Sequence, residues 1–293
     1  HNPDLIWRNR RGNDYGDWLN GDTLIFNGWP RTGGEVPKEV FATMMFARSA
    51  DVVDRMAIQL GKPPVGLFER IKTAFQNQFI DRDGTMPGDT QAGYALALHY
   101  NLIPDELKQK AFEKLVAAIE RAGYKLTTGF HSTLPAMMVL NQFGRTDIAY
   151  RLILNREFPG WLYSIDNGAT TIWERWDGYV KGRGFQDPGM NSLNHWAFGA
   201  VGEWMMKTII GIAPDEDAPG YRRIRISTRP GGGLDWAKGS LDTPYGIVEV
   251  EWRRDGSQAI VDVVIPPNSA AIWEQTGETL QAGKHRLTVP YNQ

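Results

Sequence analysis

Two patterns of apolar positions divide the chain into a helical part and a part made of strands. Before residue 212, apolar residues recur every three or four positions, which is typical of amphipathic helices. Glycine ends several of these segments, as Gly61 and Gly123 do. The predicted helices cover residues 37–60, 67–79, 90–100, 104–122, 133–143, 147–155 and 191–210.

The predicted helices are of two kinds. Some are apolar on one face, such as 104–122, and others are apolar on nearly every side, such as 191–210. Helices of these two kinds, joined by Gly/Pro loops, are typical of an α/α toroid, in which inner helices are buried and outer ones half-solvated. A generic helical bundle has the same periodicity and stays an alternative.

From residue 213 onwards the pattern becomes one of short alternating or β-branched segments separated by turns such as PGGG, RDGS and PPN. It predicts an all-β C-terminal domain over 213–293, a small antiparallel β-sandwich without a catalytic set. We expect Trp236, Trp252 and Trp273 to fill this domain or pack against the helical one. A sugar-binding role for them is the less favoured alternative.

Composition narrows the function classes. A net charge of −2 over 293 residues favours neither nucleic acid nor an anionic membrane as a partner, and no apolar run is long enough to cross a bilayer. Cysteine is absent, and the five histidines are scattered without a metal-ligand spacing, so metal catalysis is not expected. Eleven tryptophans in such a chain favour carbohydrate binding, although large cores also collect tryptophan.

The most informative motif spans residues 168–178 and reads GATTIWERWDG. It places Glu174 between the indoles of Trp173 and Trp176, with Asp177 close behind. Indole faces stack on pyranose rings, while a carboxylate activates water or binds hydroxyls, so the motif points to sugar chemistry. The alternative is a buried aromatic patch in which Glu174 pairs with the arginine that follows it.

A second carboxylate and indole stand together at Asp17 and Trp18, on a loop with glycines. The alternative for this aspartate is a turn residue that accepts hydrogen bonds from local backbone amides. A third loop, TTGFHST at 127–133, precedes a predicted helix, and its His131 is another candidate to face a cleft.

The segment that opens the last predicted helix carries Asn191, Asn194 and His195. These side chains either cap the helix and its neighbouring loops or form a ring of donors for sugar hydroxyls. Glu203, deeper in the same predicted helix, is expected to be a buried structural carboxylate.

Taken in order, the motifs resemble those of the bacterial α-L-rhamnosidases of glycoside hydrolase family 78. The resemblance covers essentially the whole chain. It implies an (α/α)6 barrel followed by a small β-sandwich, and hydrolysis of terminal α-L-rhamnosides with inversion, without a cofactor. The motifs that carry it are YGDWLNGD (15–22), GGEVPKEVFAT (33–43), GDTQAGYALAL (88–98), TTGFHST (127–133), GATTIWERWDG (168–178), MNSLNHWAFGAVGEWM (190–205) and PGGGLDWAKGS (230–240).

The resemblance also assigns roles. It implies that Glu174 is the general base that deprotonates the attacking water, and that His195 binds rhamnose hydroxyls. We expect both side chains to share one cleft with Trp18 nearby. The other substrate-binding candidates are Trp18, Trp173 and Trp176 for an aromatic wall, and Asp17 and Asp177 for sugar contacts.

One departure from the family pattern concerns the general acid. The family carries it in a DxxxRxERxxW motif upstream, and this sequence contains no such motif. About seven helices are predicted where a complete toroid has twelve, so residues 1–212 are expected to be part of a barrel whose N-terminal helices are missing. An apolar face should then be exposed, which favours self-association or covering by a partner or by the missing N-terminal portion.

Two alternatives to an active rhamnosidase stay open at this point. One is a remnant that binds rhamnose without turnover, and the other is a different α/α-toroid glycosidase. The expected partners are L-rhamnose-containing glycosides or oligosaccharides.

Overall fold

The computed structural model describes residues 2–8, 16–21 and 36–292. The described chain is mainly helical up to Ile210 and mainly strands after it. The predicted fold class, a mainly α part followed by an all-β part, is therefore confirmed.

The helices follow the predicted apolar periodicity closely between residues 37 and 155, with ends that differ by a few positions. The α-helices are α1 (Lys38–Gln59), α2 (Leu67–Phe79), α3 (Gln91–His99), α4 (Lys108–Arg121), α5 (Thr133–Gln142), α6 (Thr146–Ile153), α7 (Trp161–Asp166) and α8 (Val201–Trp204). Short 3-10 helices cover Asp105–Leu107, Pro188–Met190 and Ala197–Ala200, and a π-helix covers Met205–Ile210.

Inner and outer helices are distinguished by their burial. In α3 all residues from Gln91 to Leu98 are buried, whereas α4 buries one face that includes Phe112, Leu115 and Ile119. Helix α3 packs against both α4 and α5, and α1 packs against α2. Each fully buried large apolar side chain at these contacts contributes about 1.5–3 kcal/mol to the stability of the helical part.

The predicted helix over 191–210 is wrong in its first third. Residues 191–196 are not helical, and helical structure begins only at Ala197. The cause is tertiary, because the main chain of Ser192 and His195 forms hydrogen bonds with a neighbouring segment. Groups engaged there are not available for the i to i−4 bonds of a helix.

Large apolar side chains are exposed along the second half of α1, and whether they mark the place of the missing helices stays a prediction. The buried residues of this helix end at Ala50. Beyond it, large apolar side chains face solvent, namely Val52, Val53, Met56 and Ile58, followed by Leu60 just after the helix.

The described chain divides into two compact units, with His1–Phe143 and Leu152–Gly199 in the first and Gly144–Arg151 and Ala200–Gln293 in the second. Tyr150 explains why its short segment joins the second unit. Its hydroxyl donates to the carbonyl of Arg229 at 2.8 Å, and its ring packs edge-on against Trp204 at 5.5 Å. The predicted domain boundary at 212/213 stays a prediction.

The strands are β1 (Tyr179–Val180), β2 (Gly184–Phe185), β3 (Ile212–Pro214), β4 (Arg223–Ile226), β5 (Trp236–Thr243), β6 (Gly246–Asp255), β7 (Gln258–Ile265), β8 (Ala270–Trp273), β9 (Glu278–Leu280) and β10 (Gly283–Pro290). The first two form a hairpin in the helical unit. The second unit holds two four-stranded sheets, ordered β10-β7-β6-β5 and β3-β4-β8-β9. All their pairs are antiparallel except β4 with β8.

The three tryptophans after residue 212 have different environments. Trp252 and Trp273 are buried, and the indole N–H of Trp252 donates to the carbonyl of Ile209 at 2.8 Å. Trp236 lies exposed on the edge strand β5. The expectation that these tryptophans fill the domain or pack against the helical one is therefore met by Trp252 and Trp273, whereas Trp236 is exposed.

We expect Gly211→Ala to destabilise the strand-rich unit by about 2 kcal/mol or more. Gly211 has a φ of 92°, and a Cβ there would lie 2.5 Å from the backbone nitrogen of Thr228. Gly202→Ala is the matched control, because a Cβ at this position in α8 meets no heavy atom within 4 Å. The control should be neutral or stabilising by up to about 1 kcal/mol. Urea denaturation measures both, and equal losses would contradict the prediction.

Candidate functional site

Two neighbouring segments carry the predicted base and the predicted sugar-binding histidine. The N–H of Glu174 donates to the carbonyl of Ser192 at 2.9 Å, and the N–H of His195 donates to the carbonyl of Ile172 at 2.8 Å. The hydroxyl of Thr171 also bonds to the carbonyl of Leu193. These cross-links place Glu174 and His195 on two paired segments of main chain.

The carboxylate of Glu174 is held at one oxygen. The N–H of Ser192 donates to Oε2 at 2.8 Å, so the carboxylate and the main chain of the same residue both bond to Ser192. Within the ranges that the structure describes, no protein donor contacts Oε1. The side chain is partly exposed. One oxygen is thus fixed in place while the other can accept a proton.

Arg175 forms its ion pair with Asp177, so the alternative in which it pairs with Glu174 is wrong. Its Nε and Nη2 donate to the two oxygens of Asp177 at 2.8 and 2.9 Å. Both side chains are 0% exposed, and Gln186 donates to the same carboxylate at 2.8 Å. Asp177 was predicted to bind substrate, and in the structure both of its oxygens are engaged by protein donors.

The indoles of the motif lie mostly in the core. Trp176 is 2% exposed and packs edge-on against Trp161 at 5.2 Å, with its ring centroid 3.9 Å from that of Phe198. Trp173 is 7% exposed and contacts Phe185 at 6.1 Å. Little of either indole is therefore open to a ligand, whereas Trp18 is only partly buried.

The ring of His195 has a defined orientation. Its Nδ1 accepts the N–H of Ala197 at 3.2 Å, and its face stacks on Phe130 at 5.1 Å with 26° between the ring planes. A neutral imidazole whose Nδ1 accepts carries its proton on Nε2. His195 can therefore donate a hydrogen bond from Nε2 to a ligand oxygen.

Asp17 is fully buried, at 0% exposed, and receives five hydrogen bonds from the part of the chain that the structure describes. A direct sugar contact would have to displace one of these donors. They are the backbone N–H groups of Gly129 (2.9 Å), His131 (2.9 Å) and Ser132 (3.1 Å), the amide of Asn20 (2.7 Å) and the hydroxyl of Ser132.

The two asparagines of the 191–196 segment have different environments. The amide of Asn191 donates to the carbonyl of Gly178 at 2.9 Å, which ties this segment to the end of the GATTIWERWDG motif. The side chain of Asn194 is exposed. The interpretation of Asn191 as a structural residue is the one that the contacts support.

Glu203 was expected to be a buried carboxylate, and this is wrong. It is exposed and pairs with Lys207 one turn later at 2.6 Å. The buried residues of α8 are Val201 and Trp204, so Glu203 lies on the opposite, solvated side of this helix.

Sequence reasoning missed two residues that organise the site, Phe130 and Ser192. Phe130 lies in the TTGFHST motif, where His131 was the residue singled out. His131 is exposed and contacts Phe41 at 5.4 Å. Phe130 instead packs against His195, and no local pattern in the sequence signals this contact.

The described residues contain no group of three or more His, Cys, Asp or Glu side chains arranged to hold a metal ion. In the same part of the chain, no helix combines the length and the apolar character that a membrane span requires.

Known proteins resemble this chain along nearly all of its length. Residues 1–209 match the family model described as the bacterial alpha-L-rhamnosidase 6 hairpin glycosidase domain, and residues 211–286 match the bacterial alpha-L-rhamnosidase C-terminal domain. An alpha-L-rhamnosidase from Streptomyces avermitilis is 44% identical over 268 residues, which are 90% of this chain and 25% of that protein. One from Formosa agariphila is 38% identical over 289 residues, which are 94% of this chain and 30% of that protein.

A solved structure gives the same result. The crystal structure of Streptomyces avermitilis alpha-L-rhamnosidase complexed with L-rhamnose matches with a TM-score of 0.88 and 39% identity, covering 99% of this chain and 29% of that one. The chain therefore spans between a quarter and a third of the length of these relatives. With both of its parts matched to the corresponding family domains, the chain belongs to the bacterial α-L-rhamnosidase family.

Proposed function

We propose that this chain is the base-bearing part of an inverting α-L-rhamnosidase, with Glu174 as the general base and His195 as a ligand of the sugar hydroxyls. The observation that carries the proposal is the pairing of the two segments that hold these residues. One segment carries a carboxylate of which one oxygen meets no donor among the described residues, and the other carries an imidazole that offers a donor. The L-rhamnose bound in the Streptomyces relative supports rhamnosides as the substrate class.

In the proposed reaction, Oε1 of Glu174 accepts a proton from water while the water oxygen forms a bond to the anomeric carbon. The bond from that carbon to the leaving oxygen breaks, and this oxygen takes a proton from a general acid. An inverting pair of carboxyl groups lies about 6.5–9.5 Å apart, which leaves room for the water. The sequence lacks the family's acid motif, so the chain by itself should act best on leaving groups that need no protonation.

The test uses the full chain with p-nitrophenyl α-L-rhamnoside, whose p-nitrophenolate leaves without an acid, and with p-nitrophenyl α-D-glucoside. Turnover of the rhamnoside supports the proposal. Binding of L-rhamnose without turnover would support the non-catalytic remnant instead. Activity confined to the glucoside would contradict both.

We expect His195→Ala to weaken L-rhamnose binding about tenfold, because one hydrogen bond to a sugar hydroxyl is lost. His285→Ala is the control, since His285 lies on β10 in the strand-rich unit, where its ring contacts the carbonyl of Gln281. Isothermal titration with L-rhamnose measures both affinities. An unchanged affinity in His195→Ala would remove this residue from the proposed site.

A further inference from the structure

The ring of His195 packs face to face against the ring of Phe130. The two rings stack at 5.1 Å, and Phe130 is held from the side by Phe198, edge-on at 4.9 Å. Its own N–H donates to the carbonyl of Trp18 at 2.9 Å. The position of the imidazole therefore depends on the loop that carries Phe130.

That loop is held by one carboxylate. The backbone N–H groups on both sides of Phe130, those of Gly129 and His131, donate to the two different oxygens of Asp17. Ser132 adds its own N–H and its hydroxyl. These four hydrogen bonds tie three of the four loop residues from 129 to 132 to one buried side chain, so Asp17 defines the conformation of this loop.

Close packing leaves the loop little freedom to settle elsewhere. A Cβ on Gly129 would collide with the carbonyl of Trp18 and lie 2.8 Å from the carbonyl oxygen of Asp17. The loop and the 17–18 segment thus meet backbone to backbone. Four of the hydrogen bonds that Asp17 accepts from described residues come from this loop, and the fifth comes from the amide of Asn20.

We propose that Asp17 is a positioning residue that acts on His195 through Phe130, rather than a residue that contacts the sugar. The consequence for rhamnose binding rests on the proposed function. The geometric part of the proposal is that Asp17 determines the contact between Phe130 and His195, and it does not depend on the proposed function.

The geometric part is tested by NMR of the histidine rings in the isotope-labelled full chain, with His195→Gln used to assign the signals. Phe130→Leu should shift the ring protons of His195, because the aromatic face beneath them is removed. Asp17→Asn should shift the same signals in the same direction, and should add nothing in the Phe130→Leu background. Asp215→Asn is the control, a buried carboxylate of the strand-rich unit that pairs with Arg223.

Unmoved His195 signals in folded Asp17→Asn, or shifts that simply add to those of Phe130→Leu, would overturn the proposal. If Asp17→Asn does not fold, Ser132→Ala decides by the same criterion, because it removes the hydroxyl donor and leaves the carboxylate in place.

The functional part is tested by L-rhamnose affinity. Asp17→Asn should weaken binding about three- to tenfold in the wild-type background and have no further effect when His195 is already alanine. An equal loss in both backgrounds would mean that Asp17 does not act through His195. If the unmodified chain does not bind L-rhamnose, the proposed function fails, and the NMR result still decides the positioning role.

Discussion

Replacing Glu174 by Gln is expected to lower the rate of p-nitrophenyl α-L-rhamnoside hydrolysis by about 10²–10⁴-fold. Glutamine keeps the shape of the side chain, and its carbonyl oxygen can still accept the N–H of Ser192. What it loses is the ability to take a proton from water. The affinity for L-rhamnose should therefore stay within about threefold, which separates a chemical role from a binding role.

Azide provides a sharper version of this experiment. As a nucleophile that is already anionic, it needs no base, so it should restore turnover in Glu174→Gln. The nitrogen–carbon bond forms as the bond to p-nitrophenolate breaks, and the product of an inverting reaction is β-L-rhamnosyl azide. The opposite anomer would contradict inversion.

The control for Glu174→Gln is Glu203→Gln. Glu203 is an exposed glutamate in an ion pair with Lys207, outside the proposed site. It should leave the rate unchanged. Equal losses in the two variants would show that Glu174 is not the base.

Replacing Asp177 by Ala is expected to destabilise the helical unit by about 3–5 kcal/mol. The change leaves the guanidinium of Arg175 buried at 0% exposure without the carboxylate that receives its two bonds of 2.8 and 2.9 Å. The amide of Gln186 loses its acceptor as well. Urea unfolding followed by circular dichroism at 222 nm measures the loss.

The control for this prediction is Asp262→Ala, which removes the same kind of two-bond arginine pair from the surface. Asp262 and Arg286 are both exposed, so water replaces the lost partner and little stability should change. The double variant Arg175→Met/Asp177→Leu should recover much of the loss, because no charge is then left buried. A small effect of Asp177→Ala would contradict the prediction.

The helical and strand-rich parts could be predicted because the buried, apolar positions recur in the sequence with the period of a helix or of a strand. Helix α3 is apolar on nearly all sides and is buried on all sides, whereas α4 is apolar on one face and buries that face. The prediction failed at 191–196, where a mostly polar segment forms main-chain hydrogen bonds with the segment before Arg175 instead of within a helix of its own. Periodicity carries no information about such pairing between distant segments.

Candidate residues could be named from local motifs, but their partners could not. Arg175 has carboxylates both directly before it and two residues after it, and only folding selects Asp177. Glu203 lies on the face of α8 that is turned towards solvent. Counting with the 3.6-residue period of an α-helix does not identify this face, because α8 has only four residues and is followed by a π-helix.

By itself the sequence determined the order of helical and β parts, the family, and the motif that holds Glu174, because these follow from short-range patterns of residue type. Only the tertiary structure decided that Asp17 accepts hydrogen bonds from the 129–132 loop and that Phe130 stacks on His195. These contacts join residues more than a hundred and about sixty-five positions apart, respectively. Contacts over such separations arise when the chain buries its apolar surface and must satisfy the polar groups that are buried with it.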